Sequence, residues 1–245
     1  MQGGSRRNAI TSVRLCVTSV SSVVSAFLRD TMKKKLPRFF YTRDDVLQIS
    51  KELLGKVLVT NFDGIKTSGI IVETEAYQGV VDRAAHSFGG RRTQRTEVMY
   101  AIGGTAYVYL IYGIHHLFNV VTGAEGTPTA ALVRALEPLE GIDTMLYRRD
   151  KLKLDYTLTK GPGALAKALG IHKRDTGKSL LGNEIWIEDR GIAFDKKQIA
   201  ASPRIGVDYA GEHALWDYRF YVKGNPWVSG KKTTDNRHQT QDRAK

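Results

Sequence analysis

Hydrophobic and polar positions repeat with two different periods along this chain, and each period predicts a kind of element. Apolar residues between positions 46 and 54 recur at helical spacing, which predicts a helix that stops at Gly55. Thr42 and Asp45, just before this segment, resemble a capping box that starts the helix. Two further helices are predicted, over residues 139–149 and 161–169.

Alternation of polar and apolar residues predicts strands over most of the remaining chain. The turn signals Asp63-Gly64 and Tyr112-Gly113 each join two such segments into a hairpin. The predicted strands are residues 56–61, 66–77, 105–112, 117–121, 129–136, 184–188, 204–207 and 218–222, with Glu137-Pro138 ending the fifth. Because consecutive strands adjoin in the sequence, we expect a single α+β domain around a mostly antiparallel sheet flanked by helices.

Composition supports one folded domain and excludes several classes of protein. The chain has 245 residues, of which 42% are hydrophobic and 25% charged, so collagen-like, disulfide-scaffold and wholly disordered proteins are excluded. Its single cysteine, Cys16, has no internal disulfide partner, and no Cys/His group has the spacing of zinc ligands. No apolar run approaches the roughly 18 residues of a membrane span. We therefore expect a soluble, reduced protein without a metal or a membrane partner.

The net charge of +12 lies mainly at the two ends of the chain. A basic N-terminal extension, residues 1–38, carries +7 and a basic C-terminal tail, residues 230–245, carries +3, which leaves +2 for the predicted domain over residues 39–229. Basic tails attract polyanions without specifying any chemistry. Residues 1–31 are open to three interpretations: a signal or transit peptide, a disordered basic arm, and an upstream start that precedes the true first residue, Met32. We favour the last two.

Residues 70–77 form the most informative segment of the chain. Side chains alternate across a strand, so Glu73, Glu75 and Tyr77 share one face, opposite Val72 and Thr74. This face is either a solvated outer surface or the wall of a cleft that holds a carboxylate general base and a stacking ring. A carboxylate in a partly dry cleft is able to take a proton from water near neutral pH.

Arg134 lies inside the apolar strand predicted over residues 129–136. An arginine in such a strand is almost never buried without a partner, and Glu75 is a candidate for that partner. The pair is either part of the catalytic machinery or a structural ion pair.

Two segments are candidates for binding phosphate oxygens. Arg91, Arg92 and Arg95 form a basic cluster beside two glycines, which is typical of a phosphate contact or of a charged flexible loop. Gly161 and Gly163 surround a proline at a helix start, where free backbone N–H groups face either an anion or only solvent.

Tyrosines are concentrated in the predicted hairpin around residue 112. Tyr107 and Tyr109 share one face, and such residues usually pack in a core. Tyr112 is different because a ring at the tip of a tight turn has little to pack against, and it could act as a wedge between bases. His115, His116 and Asn119 follow on the return strand.

Several motifs, taken together and in this order, resemble the alkyladenine (3-methyladenine) DNA glycosylase family. The matching segments are residues 54–59, 71–77, 84–90, 104–113, 132–141, 161–163 and 219–228, which together extend over roughly residues 40–229. The resemblance implies a curved sheet like that of a formyltransferase C-terminal domain. It also implies an enzyme that flips alkylated or deaminated purines out of duplex DNA and hydrolyses the N-glycosidic bond.

The resemblance assigns roles to individual residues. Glu75 matches the general base that activates water, and Arg134 matches the residue that helps to hold that water and the carboxylate. Tyr112 matches the wedge that enters the duplex. The base pocket is matched by Tyr77, His86, Tyr109 and Asn119, the last of which discriminates against normal guanine.

The resemblance also implies a monofunctional enzyme, since no lysine stands in a matched position for Schiff-base chemistry. We expect no cofactor, a monomer that acts on double-stranded DNA, and a location in the cytoplasm or nucleoid of a bacterium, or in the nucleus or an organelle of a eukaryote. His115 and His116 stand where relatives are expected to carry aromatic or apolar side chains. Two other hypotheses remain: a catalytically silent DNA-binding module on the same scaffold, and an unrelated formyltransferase-like or small-molecule enzyme.

Overall fold

One antiparallel sheet of nine strands carries the fold, and most of its strands come from segments in which polar and apolar residues alternate. The computed structural model describes residues 33–230. The strands are β1 (Lys34–Lys35), β2 (Val57–Phe62), β3 (Ile65–Tyr77), β4 (Ala106–Ile111), β5 (His115–Thr122), β6 (Thr129–Glu140), β7 (Ile185–Asp189), β8 (Ile199–Ser202) and β9 (Arg219–Val222). The predicted α+β class is confirmed.

Helices are short and connect or cover the strands. The α-helices are α1 (Arg38–Tyr41), α2 (Val46–Glu52), α3 (Ile142–Arg148) and α4 (Pro162–Leu169). Single turns of 3-10 helix and one longer 3-10 segment are found at Gly79–Val81, Phe88–Gly90, Glu97–Tyr100, Tyr156–Leu158, Lys173–Asp175, Lys196–Gln198 and Asp208–Leu215.

Strand β3 is the centre of the sheet. The main path of neighbouring strands is β1-β7-β2-β3-β6-β5-β4. The first half of β3 pairs with β2, whereas Glu73–Glu75 pair with β9 on that edge, and β6 lies along the other edge. The second half of β3 is therefore enclosed on both sides by strands that are far away in the sequence.

The two faces of β3 have different surroundings. The Thr74 hydroxyl donates to the Ser50 carbonyl oxygen at 2.8 Å, so this face packs under α2. Val72 and Ala76 lie in the same core, together with Leu165 and Leu169 of α4. Glu73 and Glu75 point to the opposite face, because side chains alternate along a strand.

Several observed strands differ from the predicted ones. Strand β6 does not end at Glu137-Pro138 but continues to Glu140, since Pro138 pairs with Gly69 at a register irregularity of β3. A proline is tolerated where the other edge of the strand is open. Residues 204–207 do not form a strand, because Arg204 enters a buried ion pair with Asp82 and Gly206 has a φ of 76°. Strand β8, which pairs with β9, was not predicted.

Helix starts also differ from prediction. Asp45 caps α2 by accepting a hydrogen bond from the Gln48 backbone nitrogen at 2.9 Å, while Thr42 ends α1 instead of forming a capping box with Asp45. Helix α3 begins at Ile142, because Gly141 at a φ of 72° turns the chain out of β6.

Residues just before the domain start predicted at residue 39 also take part in the fold. Lys34 and Lys35 pair with β7, and Leu36 is buried in the core, so the end of the predicted extension belongs to the sheet. The rest of that extension and nearly all of the predicted tail, residues 1–32 and 231–245, lie outside the described residues. Within residues 33–230, no helix has the length and apolar character needed to cross a bilayer.

Candidate active site

A cavity of about 770 Å³ opens between the β4–β5 hairpin, the centre of the sheet and the start of α4. Its volume falls within the usual range for small-molecule sites. Aromatic and charged side chains line it together, among them Tyr77, His86, Tyr107, Tyr109, Asn119 and Arg134. The cavity therefore brings together residues from β3, β4, β5 and β6.

Glu75 lies directly behind the wall of this cavity. It has no exposed surface, but Tyr77 and Arg134, which hold its carboxylate, both line the cavity. The Ile205 backbone nitrogen donates to Oε1 at 2.8 Å, and the Tyr77 hydroxyl donates to Oε2 at 2.9 Å. Nη1 of Arg134 is 3.2 Å from Oε1. A carboxylate has about four lone-pair positions, and these three contacts leave it able to accept one further hydrogen bond.

Tyr77 is a permanent hydrogen-bond donor at the edge of the site. Burial raises the pKa of Tyr77 well above its usual value, and the charge of Glu75 raises it further. The ring therefore stays protonated over the whole physiological range and keeps donating to the carboxylate.

Glu73, on the same face of β3, is fully occupied by hydrogen bonds. Oε1 accepts from Arg219 Nε at 2.7 Å, from Arg134 Nε at 3.1 Å and from the Ser229 hydroxyl at 2.9 Å. Oε2 accepts from the Ser229 backbone nitrogen at 2.6 Å. Glu73 is as buried as Glu75, but four hydrogen bonds already occupy its carboxylate, so it holds the two arginines and the segment at Ser229 in place.

Arg134 joins the two carboxylates. Its Nε faces Glu73 and its Nη1 faces Glu75, so the predicted partner Glu75 is one of two. Burial by itself lowers the pKa of Arg134, but the carboxylates of Glu75 and Glu73 outweigh burial and raise it. The guanidinium therefore remains charged beside the cavity.

A second buried ion pair anchors the loop that reaches Glu75. Arg204 Nη2 donates to Asp82 Oδ1 at 2.9 Å, and Arg204 Nη1 donates to the Ala76 carbonyl oxygen at 2.9 Å. Both side chains are fully buried. This pair holds the segment before Ile205 against the end of β3. The Ile205 N–H is thereby oriented toward the Glu75 carboxylate.

Sequence reasoning missed four of these supporting residues. Arg219 and Ser229 hold Glu73, while Asp82 and Arg204 hold the loop at Glu75. The rule that drew attention to Arg134, an arginine within an apolar strand, applies equally to Arg219 and would have found it. No local signal indicates that Asp82 and Arg204 meet.

Three aromatic rings form one end of the cavity. The His86 ring lies 4.6 Å from the Tyr109 ring, edge to face, and the Tyr107 and Tyr109 rings are 5.4 Å apart. His86 Nδ1 lies 2.8 Å from the Tyr107 hydroxyl. Burial, together with the positive charges of Arg95 and Arg91, lowers the pKa of His86 to about 4, so this ring is neutral at physiological pH. Tyr107 was not among the predicted site residues.

Asn119 is held from the opposite strand. Its amide nitrogen donates to the Tyr107 carbonyl oxygen at 3.1 Å and to the Leu117 carbonyl oxygen at 3.3 Å. The side chain is buried and lines the cavity, so the orientation of its amide is set by the backbone of the hairpin.

Tyr112 projects from the tip of the β4–β5 hairpin at the mouth of the cavity. Tyr112 has a φ of 52° and Gly113 a φ of 71°, as the tight hairpin turn requires at both positions. The Tyr112 side chain is 85% exposed, and that of Ile114 beside it is 71% exposed. Within residues 33–230, this large ring is therefore left almost uncovered.

The predicted phosphate-binding residues do not all reach the cavity. Arg91 and Arg95 line it, as do Gly161 and Gly163 at the start of α4. Arg92 instead forms two hydrogen bonds with Glu97, at 2.6 and 2.8 Å, and does not line the cavity. Of the three arginines in the predicted cluster, two therefore line the cavity and one does not.

The two unexpected histidines also differ in position. His115 lines the cavity and packs so closely on Gly163 that a Cβ atom there would lie 3.0 Å from its ring. His116 lies away from the cavity, with its ring 5.1 Å from that of His172 and its Nδ1 accepting from the Lys173 backbone nitrogen at 3.2 Å. Among residues 33–230, no group of three or more His, Cys, Asp or Glu side chains is arranged to hold a metal ion.

Proteins similar to this chain are found in bacteria. The family model described as methylpurine-DNA glycosylase matches residues 39–226. A protein of Bacillus cereus (strain G9842) is 52% identical over 204 residues, which cover 80% of this chain and 98% of the relative. Proteins of Bacillus thuringiensis (strain Al Hakam) and Bacillus anthracis (strain CDC 684 / NRRL 3495) are 49% and 50% identical, with the same coverages. All three carry the name "Putative 3-methyladenine DNA glycosylase".

Proposed function

This chain belongs to the methylpurine-DNA glycosylase family, and from that premise we propose that it removes alkylated purines from double-stranded DNA and leaves an abasic site. Members of this family are DNA glycosylases, so the substrate is DNA and the reaction is hydrolysis of an N-glycosyl bond. The buried Glu75 carboxylate, held by Tyr77 and Arg134 behind an aromatic cavity, is the observation that supports this mechanism most directly.

The damaged nucleotide first has to leave the duplex. A base in the double helix is out of reach of any cavity in the enzyme, and flipping it out costs a few kcal/mol of unstacking. Tyr112 is exposed at the mouth of the cavity and takes the place of the extruded base. Arg91 and the N–H groups around Gly161 and Gly163 lie at the same mouth, where they contact the backbone phosphates.

The extruded purine then enters the aromatic end of the cavity. Tyr77, His86 and Tyr109 surround it, and their faces attract a purine that carries positive charge, by about 0.5–2 kcal/mol. Asn119, whose amide nitrogen is bound to two backbone carbonyls, offers its amide oxygen to the purine edge. We propose that Asn119 also discriminates against normal guanine, whose exocyclic amine would crowd its amide.

Hydrolysis follows at the sugar. Glu75 takes a proton from water while the water oxygen bonds to C1′, and the bond between C1′ and the purine nitrogen breaks with its electron pair moving to the purine. Arg134 orients the carboxylate and the water through its fixed guanidinium. Alkylation at a ring nitrogen makes the purine a good leaving group, so one carboxylate suffices. No lysine lines the cavity in the described structure, and a Schiff base is therefore not expected.

A lesion-panel excision assay tests the proposal. Duplexes that contain 3-methyladenine, 7-methylguanine, ethenoadenine or hypoxanthine are incubated with the full chain at low salt between pH 6 and 8. Release of at least one of the alkylated purines supports the proposal if the DNA strand stays intact until the abasic site is cleaved with alkali. Binding of these duplexes without any release would support the silent DNA-binding module instead, and the absence of both would favour a small-molecule enzyme.

A further inference from the structure

Arg95 reaches into the aromatic end of the cavity. Its Nη2 atom lies 3.3 Å from His86 Nε2, and its guanidinium carbon is 5.3 Å from the centre of the Tyr109 ring. Among residues 33–230, no carboxylate lies within ion-pair distance of Arg95. An uncompensated positive charge therefore stands against two of the rings that are proposed to enclose the purine.

This contact determines how the neighbouring hydrogen bonds are directed. A guanidinium only donates, so His86 Nε2 accepts from Arg95 and the ring proton is on Nδ1. The Nδ1–H group then donates to the Tyr107 hydroxyl, 2.8 Å away. As a result, the hydrogen of the Tyr107 hydroxyl is left to donate to another group. The aromatic end thus presents a positive charge and a hydroxyl donor to whatever enters.

We propose that Arg95 is a specificity-determining residue that disfavours purines with a fixed positive charge relative to neutral damaged purines. This inference rests on the proposed function and refines its choice of substrate. Two neighbouring positive charges repel each other strongly where water is partly excluded, whereas solvent at an exposed side chain weakens the effect. The aromatic faces attract a cationic purine, and Arg95 opposes that attraction.

A phosphate contact is the alternative role for Arg95, as the sequence suggests for all three arginines of this loop. The two roles predict different behaviour. A phosphate contact strengthens binding to every DNA duplex by the same factor, and its removal lowers the salt dependence of binding by about one counterion. A charge beside the purine changes the preference among lesions.

The test compares Arg95→Gln with Arg92→Gln, a matched control in the same loop whose arginine is paired with Glu97 outside the cavity. The measured quantity is the ratio of kcat/KM for 7-methylguanine to that for a neutral purine, taken as hypoxanthine or ethenoadenine, whichever the wild type excises faster. We expect this ratio to rise about tenfold in Arg95→Gln, the effect of a moderately screened charge, and to stay constant in Arg92→Gln.

An equal loss for both lesions in Arg95→Gln, with a smaller salt dependence, would overturn the inference and leave a phosphate contact. Such a result would not affect the proposed function, which fails only if the wild type excises none of the lesions. The NMR titration of His86 gives a readout without DNA. Its pKa should rise from about 4 toward the ordinary value in Arg95→Gln, and an unchanged titration would show that the two side chains do not meet in solution.

Discussion

The Nη1 atom of Arg134 lies 3.2 Å from Oε1 of Glu75, and the two side chains come from neighbouring antiparallel strands at the centre of the sheet. Arg134 contacts both glutamates of β3, but the other donors around the two carboxylates differ. Glu73 accepts four hydrogen bonds, whereas Glu75 is held by three donors and keeps a lone pair for a further hydrogen bond behind the cavity wall.

Glu75→Gln should abolish excision while leaving lesion-duplex binding intact. Glutamine keeps the size and the hydrogen-bond acceptor but cannot take a proton from water, and a general base contributes about 10²–10⁴-fold to a rate. Single-turnover excision and a binding titration measure the two effects separately. Glu137→Gln is the control, since Glu137 accepts from Asn225 and does not line the cavity. Wild-type rates in Glu75→Gln would show that water is activated elsewhere.

Glu73→Gln should unfold more easily. Its carboxylate compensates Arg219 and Arg134 inside the protein, and removing one partner of a buried pair costs about 3–5 kcal/mol. Urea denaturation measures the loss in the free energy of unfolding. Glu97→Gln, which breaks the exposed pair with Arg92, should leave the denaturation midpoint unchanged. Equal midpoints for Glu73→Gln and the wild type would mean that the buried network adds nothing to stability.

Tyr112→Ala should impair excision from duplex DNA much more than excision from single strands. The exposed ring at the turn is proposed to offset the cost of unstacking the base, and only a duplex requires this unstacking. We therefore expect the excision rate on the duplex to fall roughly tenfold or more. Excision rates on matched duplex and single-stranded oligonucleotides measure the difference. Tyr147→Ala serves as the control, because Tyr147 is 84% exposed but lies on α3 outside the cavity. Parallel losses on both substrates would contradict the wedge.

His86 should make the protein less stable as the pH falls. Its pKa is lowered to about 4 in the folded state, so below its ordinary value near 6.5 the unfolded chain binds more protons at this residue. The contribution of His86 is therefore complete above about pH 6.5 and is lost progressively down to about pH 4. Denaturation of the wild type and of His86→Gln at pH 7.5, 6 and 5 measures this contribution. Identical slopes in the two proteins would contradict it.

The sequence predicted the elements that carry the site better than the contacts within it. Alternation along β3 predicted that Glu73, Glu75 and Tyr77 share a face, and the turn signal at Tyr112-Gly113 predicted the exposed tip. Both features depend on neighbouring residues only, through the two-residue period of a strand and the positive φ of a tight turn. The roles assigned to these residues stay predictions.

By itself, then, the sequence determined most of the strands, the hairpin at Tyr112-Gly113 and the face on which the two carboxylates lie, and its motifs indicated the family. Only the family resemblance singled out Glu75 from Glu73, because the donors that distinguish the two carboxylates come from Ile205, Arg219 and Ser229. Those residues reach β3 only through the pairing of β9 and the anchored loop before it. A carboxylate takes its donors from whichever segments the sheet order places beside it, so the tertiary structure alone decided which glutamate is held by Arg219 and Ser229 and which one by Ile205 and Tyr77.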